Sequence, residues 1–168
     1  MSIDLLKRAG LFIVFALAQT IVLGRIHLFG YATPLLYVYF VLLFPRNYPK
    51  WAILLWSFFL GLTVDVFFNT PGVAAASMTL VGAIQPYFFE LFVPRDSSEN
   101  LQPSVKTLGT LKYLNYSVVL VVLYCLVFFS LEVFNYYNWV EWLKCVVGSA
   151  VFTLVLIWTF DSVAGKQG

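Results

Sequence analysis

Between Lys112 and Glu132 nineteen consecutive residues carry no charge, and between Lys144 and Asp161 there are sixteen more. A helix on the surface of a soluble domain needs a polar face, whereas a helix crossing a bilayer core of about 30 Å needs roughly 20 mainly apolar residues. Read with that ruler, the chain holds six candidate spans, at about residues 5–24, 28–44, 51–68, 72–93, 114–134 and 140–160. The second is short and carries Pro34 in its first turns, where proline is best tolerated. The expected fold is an all-α integral membrane protein of six transmembrane helices, one domain over residues 1–168.

Composition supports this and removes other classes. Hydrophobic residues make up 61% of the chain and charged residues 11%, against about 25% charged in soluble domains. Ten Lys+Arg and eight Asp+Glu cannot form the basic face that nucleic-acid binding requires. Cys125 and Cys145 lie within apolar runs and read as small hydrophobes rather than a disulfide. His27 is the one histidine, so a zinc site with three or four ligands is not expected. No cofactor is implied.

Basic residues orient the spans. With the N-terminus inside, Lys7, Arg8, Arg46, Lys50, Arg95, Lys106, Lys112 and Lys166 face the cytoplasm and only Arg25 and Lys144 face out. Treating 28–44 as re-entrant flips everything after it and leaves three basic residues inside, so the positive-inside rule selects six spans with both termini cytoplasmic. Tyr48, Trp51, Tyr113, Tyr116 and Trp158, with Tyr136, Tyr137, Trp139 and Trp142 on the outer side, fall at span edges, where amphipathic rings prefer to sit. Lys7-Arg8 before Leu11–Leu17 and Ala16-Leu17-Ala18 has the look of a cleaved leader. The apolar run continues through Ile21–Leu23, however, and an uncleaved first span is expected. The one substantial loop is cytoplasmic, Pro94 to Lys112.

Asp65 is the most informative single residue. Fourteen residues at about 1.5 Å each place it about 21 Å along a helix starting at Trp51, in the outer part of the bilayer. A carboxylate there is paired or faces an interior cavity. It either contacts a ligand, ion or partner, or it accepts hydrogen bonds at the turn Asn69-Thr70-Pro71-Gly72 or pairs with Arg25. Both readings stay open. Glu90, Glu132, Glu141 and Asp161 fall at helix ends, where solvation is the ordinary explanation.

Gly72, Ala76, Thr79 and Ala83 recur at spacings of four, three and four and so share one helix face. Small residues let helices approach closely where lipid removes the hydrophobic drive. The ordinary role is packing within the chain, the sharper one docking of another protein's transmembrane helix. Gln85 needs a hydrogen-bond partner at its depth, and Pro86 is expected to break the helix there. Catalytic motifs are missing: no G-x-S-x-G, H-E-x-x-H, C-x-x-C or phosphate-binding glycine loop occurs, so no catalytic residue is assigned. Asp65 and Asp161 lie about 20 Å apart by helix rise and cannot act as an acid pair.

The stretch Gly61-Leu-Thr-Val-Asp65-Val-Phe-Phe-Asn69-Thr-Pro-Gly72-Val-Ala-Ala resembles the signature of MreD, the bacterial rod shape-determining membrane protein. Gln85-Pro86-Tyr87 falls where that family commonly has Arg-Pro-aromatic, with Gln85 in place of the usual Arg. Pro94-Arg95-Asp96 and Phe128-Phe129-Ser-Leu-Glu132 look like its Bacteroidetes branch. The resemblance implies a fold similar to the S components of energy-coupling-factor transporters, a place in the bacterial cytoplasmic membrane, and no catalytic activity. It also implies direct binding to MreC, in a complex with MreB, RodA and a class B penicillin-binding protein that directs peptidoglycan synthesis and cell shape. The contact would use or be shaped by Gly61, Asp65, Gly72, Ala76, Thr79, Ala83, Gln85 and Pro86. An alternative of another class is an S-component-like binder of a small molecule, with an outer pocket at Asp65.

The topology is testable by fusions. Green fluorescent protein fused after Gly168 should fluoresce, and alkaline phosphatase inserted at Asn138 should be active. The opposite pair of outcomes would reverse the assigned orientation.

Overall fold

The computed structural model describes residues 2–22, 35–69, 72–99, 101, 103, 105–132 and 138–166. Every regular element among them is helical. The first, α1, spans Ser2–Leu17 and runs directly into a wider π-helical turn at Ala18–Val22. A short α2, Val38–Leu42, is followed by α3, Lys50–Phe68, and α4, Val73–Phe92. A four-residue α5, Val105–Leu108, precedes α6, Thr110–Glu132, and α7, Trp139–Lys166.

The breaks fall where residues suit them. Pro49, extended at φ −62° and ψ 131°, precedes the first turn of α3, and Asn69 closes that helix in the left-handed region at φ 57°. Asparagine tolerates that conformation because its short amide can bond locally. Gly72 at φ 77° turns the chain into α4, and Gly109 at φ 86° separates α5 from α6.

Among the described residues three helices are long and apolar enough to cross a membrane: α3, α6 and the Trp139–Val163 part of α7. Large apolar side chains such as Phe59, Val66, Leu111, Val147 and Val155 point outward from them, as a lipid-facing surface requires. The 28 residues of α7 amount to about 42 Å, longer than the 140–160 span expected. Of the other expected spans, α4 has the length but carries Gln85, Pro86, Tyr87 and Glu90 in its second half. That helix continues through Pro86 to Phe92, so the expected break does not occur. Nor is the segment 28–44 a continuous helix in its described part, since only Val38–Leu42 is α-helical. Residues 28–34 lie outside the described residues, as do Arg25 and His27.

What replaces that second span is a core strut. Tyr37, Val38, Val41, Leu42 and Phe44 are wholly buried, surrounded by the other helices rather than by a lipid-facing margin. Phe12 and Phe15 of α1 pack their rings on Phe40 and Tyr39 at centroid distances of 5.8–6.2 Å. From α6 come Tyr116, Leu120, Tyr124 and Cys125, a stripe at spacings of four, four and one on one helical face. Both Cys125 and Cys145 are free thiols, the former fully buried as a small hydrophobe.

Helices α3 and α4 form a tight hairpin built on two glycines. A Cβ on Gly61 would lie 2.6 Å from the Ala74 carbonyl oxygen and 2.6 Å from the Ala75 Cα. One on Gly82 would meet the Ser57 Oγ at 2.5 Å and its Cβ at 3.1 Å. Such overpacking costs about 1–3 kcal/mol. Gly61→Ala, which collides with backbone, should therefore lose at least about 2 kcal/mol in a reversible unfolding assay in detergent. Gly82→Ala should lose less, and Ser57→Ala should restore part of that loss, because its obstacle is a side chain. A non-additive double-mutant cycle checks the pairing.

Candidate functional site

The residues singled out in the signature meet at the turn of the α3–α4 hairpin. Asp65 is buried, 4% exposed. The Ala74 N–H donates to its Oδ1 at 2.9 Å and the Ala75 N–H to its Oδ2 at 2.9 Å. These N–H groups belong to the first turn of α4 and have no carbonyl partner within that helix. A carboxylate there also interacts favourably with the positive end of the helix dipole. Gly61, one turn before Asp65 on the same face, admits the backbone of Ala74 and Ala75 and so brings both N–H groups to the carboxylate. Gly72 supplies the left-handed residue before α4. Gly61, Asp65, Gly72, Ala74 and Ala75 thus form a single structural unit, with each residue type required by the geometry.

Of the two readings left open for Asp65, the geometry places its carboxylate on the backbone beyond the turn. Arg25, the other partner considered, lies outside the described residues.

The rest of the proposed small face has a different place. Ala76 and Ala83 are exposed and Thr79 is partly exposed. The inward face of α4 is instead Ala74, Ala75, Met78, Val81, Gly82 and Gln85. The Thr79 hydroxyl donates to the Ala75 carbonyl at 2.7 Å, which satisfies it within its own helix. The outward face presents these small residues beside the larger exposed side chains of Leu80 and Tyr87.

Gln85 has the partner its depth demands. Its Nε2 donates to the Tyr116 hydroxyl oxygen at 2.8 Å and to the Phe44 carbonyl at 3.3 Å, while the Tyr116 O–H donates to the Leu42 carbonyl at 3.4 Å. The other end of the same buried segment is held likewise. The Leu35 N–H donates to Thr153 Oγ1 and the Leu36 N–H to Gln19 Oε1, each at 3.1 Å. Side chains from four other elements thus take up backbone groups that the ends of α2 leave open.

Asp161 departs from expectation. It is buried, 8% exposed, rather than solvated at a helix end. The Tyr39 hydroxyl donates to its Oδ1 at 3.4 Å and the Val105 N–H to its Oδ2 at 3.2 Å, which ties the start of α5 to α7 and the core segment. Glu90, Glu132 and Glu141 are exposed. Gln19, Tyr39 and Thr153 escaped the sequence reading, and Tyr113 and Tyr116, expected as span-edge anchors, are buried in the core instead. Their signal was polarity inside apolar runs, but nothing along the chain names a partner 17 to 122 residues away.

Among the described residues no three His, Cys, Asp or Glu side chains converge on a metal-sized space. Comparison with protein-family models, with curated proteins and with solved structures finds no match.

Asp65→Ala leaves two N–H groups without their acceptor, each worth about 1–3 kcal/mol when buried. A loss of about 2–4 kcal/mol is expected in reversible unfolding, with Asp65→Asn, which keeps one acceptor oxygen, losing roughly half as much. Equal stability of all three proteins would show that the cap is dispensable.

Proposed function

We propose that this chain is a non-enzymatic membrane scaffold of the MreD kind. In this reading it is a multi-span protein of the bacterial cytoplasmic membrane, with both termini inside. It docks the transmembrane helix of MreC and so helps couple MreB filaments to the synthases, RodA and a class B penicillin-binding protein. The observation that carries the reading is the outward face of Ala76, Thr79 and Ala83. It lies on a helix fixed against α3 by the Gly61–Asp65 unit, and its one hydroxyl is already bonded internally. A rigid helix with small residues on one face lets another backbone approach closely. The resemblance around Gly61, Asp65 and Gly72 supplies the partner's identity. A small-molecule pocket at Asp65 has no comparable support, because the carboxylate oxygens are engaged by α4.

Gly72 is a poor probe of this surface, since its φ of 77° strains any replacement. Ala76 and Ala83 are suitable because their side chains touch little within the chain. Ala76→Leu with Ala83→Leu should leave the unfolding midpoint within about 0.5 kcal/mol of wild type and reduce co-purification with MreC at least tenfold. Wild-type recovery of MreC with the double variant would remove this face from the proposal.

A further inference from the structure

A groove of about 670 Å³ runs between α1 and α3, within the range of about 300–1,000 Å³ usual for small-molecule sites. Its two ends differ in chemistry. Leu55 and Phe59 follow Trp51 at intervals of four along α3, and all three are exposed. The wall they form extends about 12 Å from the first turn of that helix. Trp56 closes the floor. Its ring packs on Phe12 of α1 at 5.7 Å, and its indole N–H donates to the Tyr48 hydroxyl at 3.1 Å. This end of the groove is aliphatic and aromatic carbon, with the Trp56 N–H already bonded.

The other end, at the starts of α1 and α3, is polar. Asp4 from the first turn of α1 and Asn47 from the segment before α3 line it. Arg8 follows Asp4 by one turn on the same face of α1, a spacing at which opposite charges commonly pair. Here they do not. The Arg8 guanidinium lies over the rings of Tyr48 and Phe44, at 4.2 and 4.8 Å from their centroids, and attracts Asp4 only through space. Tyr48 is itself part of the groove wall, so the guanidinium sits against that wall. Among the described residues neither the Asp4 carboxylate nor the Arg8 guanidinium makes a hydrogen bond. Two opposite charges are thus held apart at the mouth of an apolar groove.

Charge and depth together define the occupant. Helix α3 is long and apolar enough to cross a membrane, and a tryptophan in its first turn is of the type that collects where headgroups meet hydrocarbon. The charged end of the groove therefore lies at headgroup level, and the wall of Leu55 and Phe59 descends into the hydrocarbon. A molecule that matches both parts carries an anion and a cation a few bonds apart at one end and an apolar chain at the other. Guanidinium groups bind phosphate through paired charge-assisted hydrogen bonds, and carboxylates accept from ammonium groups. We propose that the α1–α3 groove binds a phospholipid bearing a primary ammonium. Its phosphate accepts from Arg8, its ammonium donates to Asp4, and one acyl chain lies along Leu55 and Phe59. This rests on the chain crossing a bilayer and is independent of the scaffold reading.

The headgroup can be varied while the acyl chains stay the same. Purified protein is equilibrated in mixed micelles with equal amounts of phosphatidylethanolamine, phosphatidylcholine and phosphatidylglycerol of matched chains, and the retained lipid is quantified by native mass spectrometry. Wild type should favour phosphatidylethanolamine about tenfold over phosphatidylcholine, whose methylated ammonium cannot donate a hydrogen bond. It should also favour it over phosphatidylglycerol, which offers Asp4 no cation. Asp4→Ala should bring the ethanolamine-to-choline ratio to about one, and Asp4→Lys should turn the preference to phosphatidylglycerol. Both changes fall on an exposed side chain and leave the fold intact. Leu55→Trp, which fills the apolar part of the groove and keeps both charges, should abolish specific retention. Equal retention of the ethanolamine and choline lipids by wild type, or a preference that survives Asp4→Ala, would overturn the proposal. So would a wild-type preference for phosphatidylglycerol, which would make Arg8 a plain anion contact, or unchanged retention with Leu55→Trp, which would place the lipid elsewhere.

Discussion

Out of water, a backbone N–H or C=O without a partner costs several times what the same group costs at a wetted surface. An unbroken transmembrane helix meets that constraint within itself. This chain does not keep its helices unbroken: α2 is a five-residue piece at the centre of the core, and α4 starts in a buried first turn. Each break transfers the burden to side chains from elsewhere. Thr153 and Gln19 receive the N–H groups before α2, Gln85 and Tyr116 serve the carbonyls after it, Asp65 serves α4 and Asp161 the start of α5. The few polar residues inside apolar stretches are thus distributed according to where the backbone is broken.

This pattern also explains what could be read from sequence. Long apolar runs marked α3, α6 and α7 to within a few residues, because length and hydropathy are local properties. Asp65 was legible from its depth in an apolar run and Gly72 from its small-residue spacing, whereas Gly61 and the grouping of the three came only through the resemblance of that stretch to a known signature. Gln85 was recognised as needing a partner, but Tyr116 and Phe44 were not identifiable, since that pairing depends on helix packing. The expectation of a second full helix failed for a related reason. Hydropathy cannot distinguish a helix that faces lipid from an apolar segment enclosed by protein, and the short α2 has four side chains from elsewhere supporting its ends. Asp161 was misjudged likewise: α7 continues past it to Lys166 and the segment at Val105 folds against it.

The small-residue stripe of α4 separates two uses of the same composition. Gly61, Ser57 and Gly82 are small because backbones nearly touch between α3 and α4. Ala76, Thr79 and Ala83 are small on the opposite side, where nothing within the chain demands it. Periodicity alone reports that both faces exist and does not say which one is occupied. The Arg8 guanidinium sits 4.8 Å from the Phe44 ring centroid and 4.2 Å from that of Tyr48, while Lys50 lies 4.3 Å from the Tyr87 ring. Cation–π contacts of this sort let basic residues lie against apolar rings without burying an unpartnered charge.

The cap that Asp65 provides has a consequence for how the chain is made. The acceptor is synthesised nine residues before the first N–H group it serves. When α4 emerges, its buried first turn has its partner only if α3 is already alongside, and Asp65 loses its cost in the apolar layer only when α4 arrives. Neither helix is therefore a good passenger alone. The two are suited to leave the translocation machinery side by side as one hairpin, so the smallest unit of assembly for this protein is a helix pair.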